Sequence, residues 1–511
     1  MAETQHDESL LKRAVLKRIP IACNFAIDST GKTLKLGPSV PKLAPFLSRL
    51  RVSMREDQNR RITQIGPGTP AGRLLRQYWQ PVALVDEFDP LLDPRMAERP
   101  IKPVRLLGQD LVLFKDHAGR IALLDRDCPH RGADLAFARY ESDGIRCPFH
   151  GWKFDATGRC LETPAEPEGS TFCQRIRQRS YPVALRSGIV FAWLGPEDQT
   201  PPSFPAFDCF LAPASHTFAF KGWLECNWLQ ALEVGIDPAH ASYLHRYFQD
   251  ASIADSYGKQ FRGASAGTDW PMTKILREFG RPEILVEPAA HGLQLTALRH
   301  LSDSQVHVRV THQVFPQAFV IPLSEEITIT QWHVPVDDHH CYWYAIFTGF
   351  GQALDKNEMR RQRLALYSLP DYKPRVGRHN DWGFNAQEQK EHTFTGMGQD
   401  INVHDQWAVE SPGAIQDRTR EHLASSDKGI MAFRRMLLSA IDAVEKDQPS
   451  PLLPSSSEQA KELMGPETID TIVEKSRWQL AWKERVAALR TEAPWRRQAA
   501  HSPSSLTSSS V

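Results

Sequence analysis

The chain is expected to fold as an α+β protein in two unequal parts, a compact all-β domain followed by a larger domain mixing helices with strands. Three observations predict this. Between about 81 and 196, short runs at 103–107, 111–115, 121–124 and 188–194 alternate with Gly, Pro and Asp turns, the pattern of short strands. A Pro-rich stretch at 196–205 reads as a linker. Beyond it, helical periodicity at 355–367 and 428–445 accompanies an aromatic-rich, strand-like run at 331–350.

The elements in order give five segments. Residues 1–53 carry nine Lys/Arg against four Asp/Glu and no sustained alternation, so they are expected to be a flexible extension with at most a short helix at 9–18. Residues 54–205 form the β domain and 206–450 the mixed domain. A helical region follows at 451–495, with one charged helix over 469–490, and 496–511 is a Ser-rich disordered tail.

Composition excludes several classes. Lys+Arg and Asp+Glu both number 61, so the chain has no net pull toward nucleic acid or an anionic membrane. The apolar run at 189–194 is too short to span a bilayer. Eight sparse cysteines do not suggest a disulfide framework, and a reducing compartment fits them better. The N-terminus lacks an apolar signal core and carries Glu3, Asp7 and Glu8, so a cytoplasmic location is expected.

Two clusters carry the chemistry. The first is Cys128-Pro129-His130, then sixteen residues, then Cys147-Pro148-Phe149-His150. Two cysteines and two histidines suit a structural zinc ion. They equally suit a Rieske [2Fe–2S] centre, with thiolates on one iron and imidazoles on the other. Gly132 and Gly151 close each motif as a tight loop, and no helix lies under the histidines, which favours the second reading. These segments, Cys-Pro-His-Arg-Gly-Ala-Asp and Cys-Pro-Phe-His-Gly-Trp-Lys-Phe, resemble the Rieske domain of ring-hydroxylating oxygenases.

The second cluster is Asp237, His240 and His245. Residues three apart sit about 60° apart round a helix, whereas residues five apart sit about 140° apart. His240 and His245 can therefore share a metal only if the backbone leaves regular helix between them or the rotamers compensate, and Pro238, which lacks an N–H, fits a helix start or kink just there. Alone, the trio would be unremarkable. Downstream of the first signature it is similar to the mononuclear iron motif of Rieske oxygenases. That resemblance implies His240 and His245 as Fe(II) ligands, and Asp237 as the carboxylate linking the cluster of one subunit to the iron of its neighbour. For the third ligand, Asp400, Asp405, Glu410 and Asp417 are candidates. Asp405, with Glu410 five residues later, matches the spacing of similar proteins; Asp400 is next, and Asp417 is expected in an ion pair.

The runs Gly66-Pro-Gly-Thr-Pro, Tyr78-Trp-Gln-Pro-Val, Trp407-Ala-Val-Glu-Ser and Asp417-Arg-Thr-Arg-Glu-His-Leu extend the resemblance over about 58–445, toward the phthalate dioxygenase branch of the oxygenase large subunits. It implies an all-β Rieske domain and a helix-grip-like catalytic domain, an antiparallel sheet covered by helices. It also implies homotrimers or stacked trimers. No dinucleotide fingerprint is present in the chain, so electrons from NAD(P)H are expected through a separate flavin and iron–sulfur reductase. The implied activity is that of a terminal oxygenase, using O2 to hydroxylate or O-demethylate an aromatic, carboxylated substrate. A carboxylate calls for an arginine fork. Among Arg277, Arg281, Arg299 and Arg309, the alternating segments holding Arg299 and Arg309 read as core strands, and these two are the substrate-binding candidates. The rival reading is an electron-transfer protein without oxygenase activity.

Overall fold

The computed structural model describes residues 54–250, 270–324 and 326–496. The 1–53 extension, its helix at 9–18, and all but the first residue of the 496–511 tail lie outside the described residues.

The N-terminal part is built from three small antiparallel sheets. One pairs Gln80–Leu84 with Ile189–Ala192 and Val183–Arg186. A second runs Ile101–Leu106, Gln109–Lys115, Ile121–Asp125 and Ser180–Tyr181. The third runs Arg139–Glu141, Gly144–Arg146, Lys153–Phe154 and Cys160–Glu162. The second sheet opens on a two-residue turn, Leu107-Gly108, with both φ values positive at 51° and 73°. That geometry matches strand twist, and it costs Leu107 its usual conformation. The turn earns a second use. Its two amides donate to the Pro335 and Val336 carbonyls at 2.9 Å, stitching this domain to the next. Buried charge reinforces the seam: Glu87 receives Lys102 and Lys221, each at 2.7 Å.

The larger part is an eight-stranded antiparallel sheet. Thr217–Leu224 lies at one edge, followed by Cys341–Gly349, Ile327–Pro335, Ala318–Pro322, Gln305–Val314, Gly292–His300 and Glu283–Ala289. The helices Trp228–Gly235 and Lys428–Glu445 pack on the sheet, and Ile401–Glu410 packs on Trp228–Gly235. The contact is close at Gly235, where an added Cβ would stand 2.0 Å from the Phe319 ring. The linker is pinned rather than free, since Trp79 donates to the Pro202 carbonyl at 2.7 Å and stacks on Phe204.

One element departs from the sequence expectation. The single helix over 469–490 divides into a strand, Ile469–Glu474, and a helix, Trp478–Glu492. Ile469, Thr471, Ile472 and Val473 are β-branched and lose side-chain freedom in a helix. Here they pair instead with the free flank of Gln305–Val314, from Val310↔Ile469 to Gln305↔Glu474.

Glu233, buried on the Trp228–Gly235 helix, receives Arg418 at 2.9 Å and Arg434 at 2.6 Å. Burial pushes its carboxyl up, but Arg418 and Arg434 outweigh that and hold it below the usual range. The stability it contributes is thus present above the ordinary glutamate pKa and lost as pH falls through the depressed folded value. Glu233→Gln leaves the buried Arg418 without a carboxylate, while Arg434 keeps Glu421, and a loss of about 3–5 kcal/mol is expected in urea unfolding.

Candidate metal centres

Each Cys/His motif closes on itself in the same way. The Cys128 amide donates to the Ala133 carbonyl and Gly132 donates back to Cys128, at 2.8 and 2.9 Å. The Cys147 amide donates to Trp152 and Gly151 donates back to Cys147, at 2.8 and 3.0 Å. Both glycines are left-handed, at φ 71° and 75°. Arginines brace the loops: Arg126 grips Asp134 through two bonds of 2.8 and 2.6 Å, and Arg146 donates to the Gly151 carbonyl at 2.7 Å.

The two loops bring their donors face to face. The Cys128 and Cys147 thiols are buried and lie close enough to influence each other's ionisation. Burial pushes the Cys128 thiol up to about 11, so its thiolate form needs a nearby cation. The His130 and His150 rings meet edge to face with centroids 4.4 Å apart. Their Nδ1 atoms are both buried without a hydrogen-bond partner. A buried, unpartnered imidazole nitrogen is costly unless something coordinates it. The four donors do not converge on one point as a zinc site requires. Among the described residues, the one group of His, Cys, Asp or Glu with ligand atoms all within 4.8 Å lies elsewhere, at His240, His245 and Asp405. Two buried thiols and two imidazoles meeting edge to face fit a two-iron core. Trp152 stacks on His130 at 4.3 Å and 11°, closing one side.

The second centre depends on a broken helix. Trp228–Gly235 ends, and a single turn, Ala241–Leu244, begins beyond Pro238. His240 caps its start in helical geometry, while His245 ends it at φ −103°, ψ 25°. The residues between the two histidines keep one helical turn, and the backbone leaves regular helix at His245. Asp405 arrives from the Ile401–Glu410 helix, with Oδ1 3.2 Å from His245 Nε2 and 3.8 Å from His240 Nε2. Asp400 is spent as the cap of that helix, accepting from the Asn402 amide at 3.0 Å. Glu410 accepts from the Glu225 amide and Trp382 at 2.9 and 3.0 Å, and faces away from the histidines. Asp417 makes no ion pair among the described residues; it caps a turn through Thr419 instead.

Hydrogen bonding fixes the imidazoles. His240 Nδ1 donates to the Asp237 carbonyl, leaving Nε2 as a lone pair. The Asp237 carboxylate accepts from the Ala239 amide at 2.8 Å. His245 Nδ1 faces Nδ1 of His404, a residue that sequence reasoning passed over because a lone histidine in a helix carries no distinguishing spacing. Burial lowers His240, and lowers His404 to about 4, so both rings stay neutral near pH 7. Two lone pairs and a carboxylate oxygen facing one another repel unless a cation lies between them.

A cavity of about 170 Å3 opens beside this trio, lined by Asp237, Phe319, Ile329, His333, Trp343 and Arg299 among others. Arg299 is buried there. Its Nη2 donates at 3.3 Å to the Pro238 carbonyl and to Ser242, and its Nε and Nη1 have no partner. Burial pushes this guanidinium down to about 10. Arg309 also lines the cavity, but Asp470 pairs with it at 2.5 Å and the Pro322 carbonyl at 3.1 Å. Arg277 is paired with Asp250, and Arg281 is exposed.

An iron–sulfur fold joined to a two-histidine, one-carboxylate site defines an oxygen-activating non-haem iron protein. Comparison with known proteins agrees. Residues 79–182 match the family described as Rieske [2Fe-2S] domain, and 192–499 the one described as LigXa C-terminal domain like. The phthalate 4,5-dioxygenase oxygenase subunit of Pseudomonas putida is 31% identical over 405 residues, 76% of this chain and 86% of that protein. The tert-butanol monooxygenase / tert-amyl alcohol desaturase oxygenase subunit of Aquincola tertiaricarbonis is 32% identical, covering 75% of this chain and 76% of its own. The 5,5'-dehydrodivanillate O-demethylase oxygenase subunit of Sphingobium sp. is 30% identical, covering 77% and 81%. The chain belongs to the Rieske non-haem iron oxygenases, in the phthalate dioxygenase-like branch, and is an oxygenase component. Its cofactors are a Rieske [2Fe–2S] cluster and a mononuclear iron. Among the described residues no helix is long and apolar enough to cross a membrane.

The two cluster loops differ in tolerance. A Cβ at Gly151 would stand 2.7 Å from Pro164 Cγ, whereas one at Gly132 meets open space. Gly132→Ala carries only left-handed strain of about 1 kcal/mol. Gly151→Ala adds the clash, and should show lower cluster absorbance per chain and a lower melting temperature than Gly132→Ala.

Proposed function

We propose that Cys128 and Cys147 hold one iron of the [2Fe–2S] cluster and His130 and His150 the other, and that His240, His245 and Asp405 hold the mononuclear Fe(II). The observation that carries the second assignment is the convergence of three ligand atoms within 4.8 Å beside a buried cavity. When bound, that iron supplies the oxygen chemistry. The chain's own residues orient the ligands, exclude water and bind the substrate.

Asp237 is assigned to link the two centres across a subunit boundary. Among the described residues no hydrogen bond joins it to His130 or His150 within one chain, which is what a link between copies predicts. Exposed aromatic side chains support contact between copies: Phe149 beside the cluster is 55% exposed, and Tyr243 and Phe394 near the iron ligands are 48% and 47% exposed. A homotrimer or stacked trimers, served by a flavin and iron–sulfur reductase that draws on NAD(P)H, follow from this reading. A cytoplasmic location remains part of it.

The substrate is read from the cavity. An apolar cavity of about 150 Å3 takes one benzene. A volume of about 170 Å3 therefore suits a single substituted ring. Arg299 brings a buried positive charge with two unpartnered nitrogens, an arrangement that burial penalises heavily unless an anion completes it. A one-ring aromatic carboxylate completes it, and hydroxylation or O-demethylation of such a ring is the proposed reaction. An uncharged alcohol would leave the guanidinium unpaired. Arg309, its charge already matched by Asp470, forms a wall of the cavity.

Metal content tests the assignment against a pure electron carrier. The full chain should hold three iron atoms and two sulfides, and Asp405→Ala should hold two irons with its cluster intact. A full-length protein with only two irons would favour the carrier. Oxygen uptake with benzoates, phthalates and methoxybenzoates, using a surrogate reductase, then tests the reaction. Asp237→Asn should keep all three irons and lose turnover. Arg299→Gln should raise KM for carboxylated rings by about 1.5–3 kcal/mol, on the order of 10- to 100-fold. An unchanged KM would remove Arg299 from the substrate site.

A further inference from the structure

His404 is not one of the three proposed ligands, yet it sits against them. It is fully buried on the Ile401–Glu410 helix, one residue before Asp405. Its Nε2 lies 3.0 Å from the Gly398 carbonyl. Its Nδ1 lies 3.5 Å from Nδ1 of His245, with the rings 22° from parallel. A carbonyl can only accept, so Nε2 of His404 carries the ring proton. In the neutral ring Nδ1 is then a lone pair. The 3.5 Å contact with His245 becomes a hydrogen bond when Nδ1 of His245 carries the proton, as it does when Nε2 serves as a metal ligand. That leaves Nε2 of His245 as the lone pair, and this is the atom 3.2 Å from Asp405 Oδ1.

We infer that His404 is a positioning residue for the mononuclear site, fixing the tautomer and ring rotation of His245 through a Gly398–His404–His245 relay. The inference rests on the assignment of His240, His245 and Asp405 as iron ligands. The two histidines are secured by different means. His240 is held by the main-chain carbonyl of Asp237, which no substitution removes. His245 is held by a side chain, so its orientation depends on what occupies position 404. An outer partner of this kind changes metal affinity by about 10- to 100-fold.

The test uses the full chain with its cluster in place. The mononuclear iron is removed by a chelator, Fe(II) is titrated back, and cluster absorbance serves as an internal control. His404→Leu fills the space but neither donates nor accepts. It should weaken Fe(II) binding by about 10- to 100-fold without loss of cluster. His404→Gln can donate its amide N–H to the Gly398 carbonyl and accept from His245 Nδ1–H, and should recover most of that affinity. The nitric oxide adduct of the iron should give one paramagnetic signal in wild type and His404→Gln, and a heterogeneous one in His404→Leu. Should His404→Leu lose its cluster as well, His404→Gln decides alone. Wild-type affinity in His404→Leu, or equal weakness in His404→Gln, overturns the relay. A wild-type chain that takes up no third iron refutes the ligand assignment itself.

Discussion

Glu233 carries a negative charge in the interior, and the placement of the mononuclear site follows from how that charge is satisfied. A lone buried carboxylate is prohibitively costly, so the fold must bring cations to it. Arg418 comes from the loop just after the Asp405 helix, and Arg434 from the long Lys428–Glu445 helix. Arg434 also reaches Glu421, extending the network to a second carboxylate. These ties fix the Trp228–Gly235 helix, whose end leads directly into Asp237 and His240. The segment supplying two histidines and the segment supplying the carboxylate are therefore referred to one common anchor. Such a pair of guanidinium groups is satisfied in only one arrangement, which suits a site where displacements of a fraction of an ångström matter.

The cluster domain solves a different problem, holding four donors that are distant in sequence pairs but close in space. It does so twice with the same six-residue loop. Each loop exchanges two main-chain bonds between the cysteine and the residues four and five positions on, and each needs a left-handed glycine. Because the bracing is main-chain, side chains between the cysteine and the glycine remain available for other tasks. Arg131 lies over the Phe149 ring at 5.3 Å, and both sit on the exposed side of the histidines.

What could be read in advance divides along the range of the interactions. The cluster motifs were legible because cysteine, histidine and glycine at fixed short spacings leave few chemical alternatives. The departure from regular helix at His245 was legible because side chains five residues apart on a regular helix point in different directions, although the turn Ala241–Leu244 between the two histidines stays helical. Strands and helices with clear periodicity fell where expected, but 469–474 did not. Its charged surroundings suggested helix, while an unpaired flank of Gln305–Val314 decided for strand. Asp405 stood out from Asp400 through resemblance; the physical distinction, that Asp400 caps the helix, appears only in three dimensions. His404, the Glu233 network and the pairing of Arg309 with Asp470 join positions far apart in the chain, the last 161 residues, and local pattern holds no trace of them.

That last pairing reaches beyond architecture. Asp470 belongs to a strand added to the flank of the sheet from near the end of the described chain, yet it sets how much positive charge the reaction chamber presents. With it, the cavity-lining Arg309 is neutralised, while Arg299 keeps two unpartnered nitrogens. The positive charge lining the chamber is thereby set partly by a strand from the C-terminal part of the described chain, which supplies none of the proposed ligands of either iron centre.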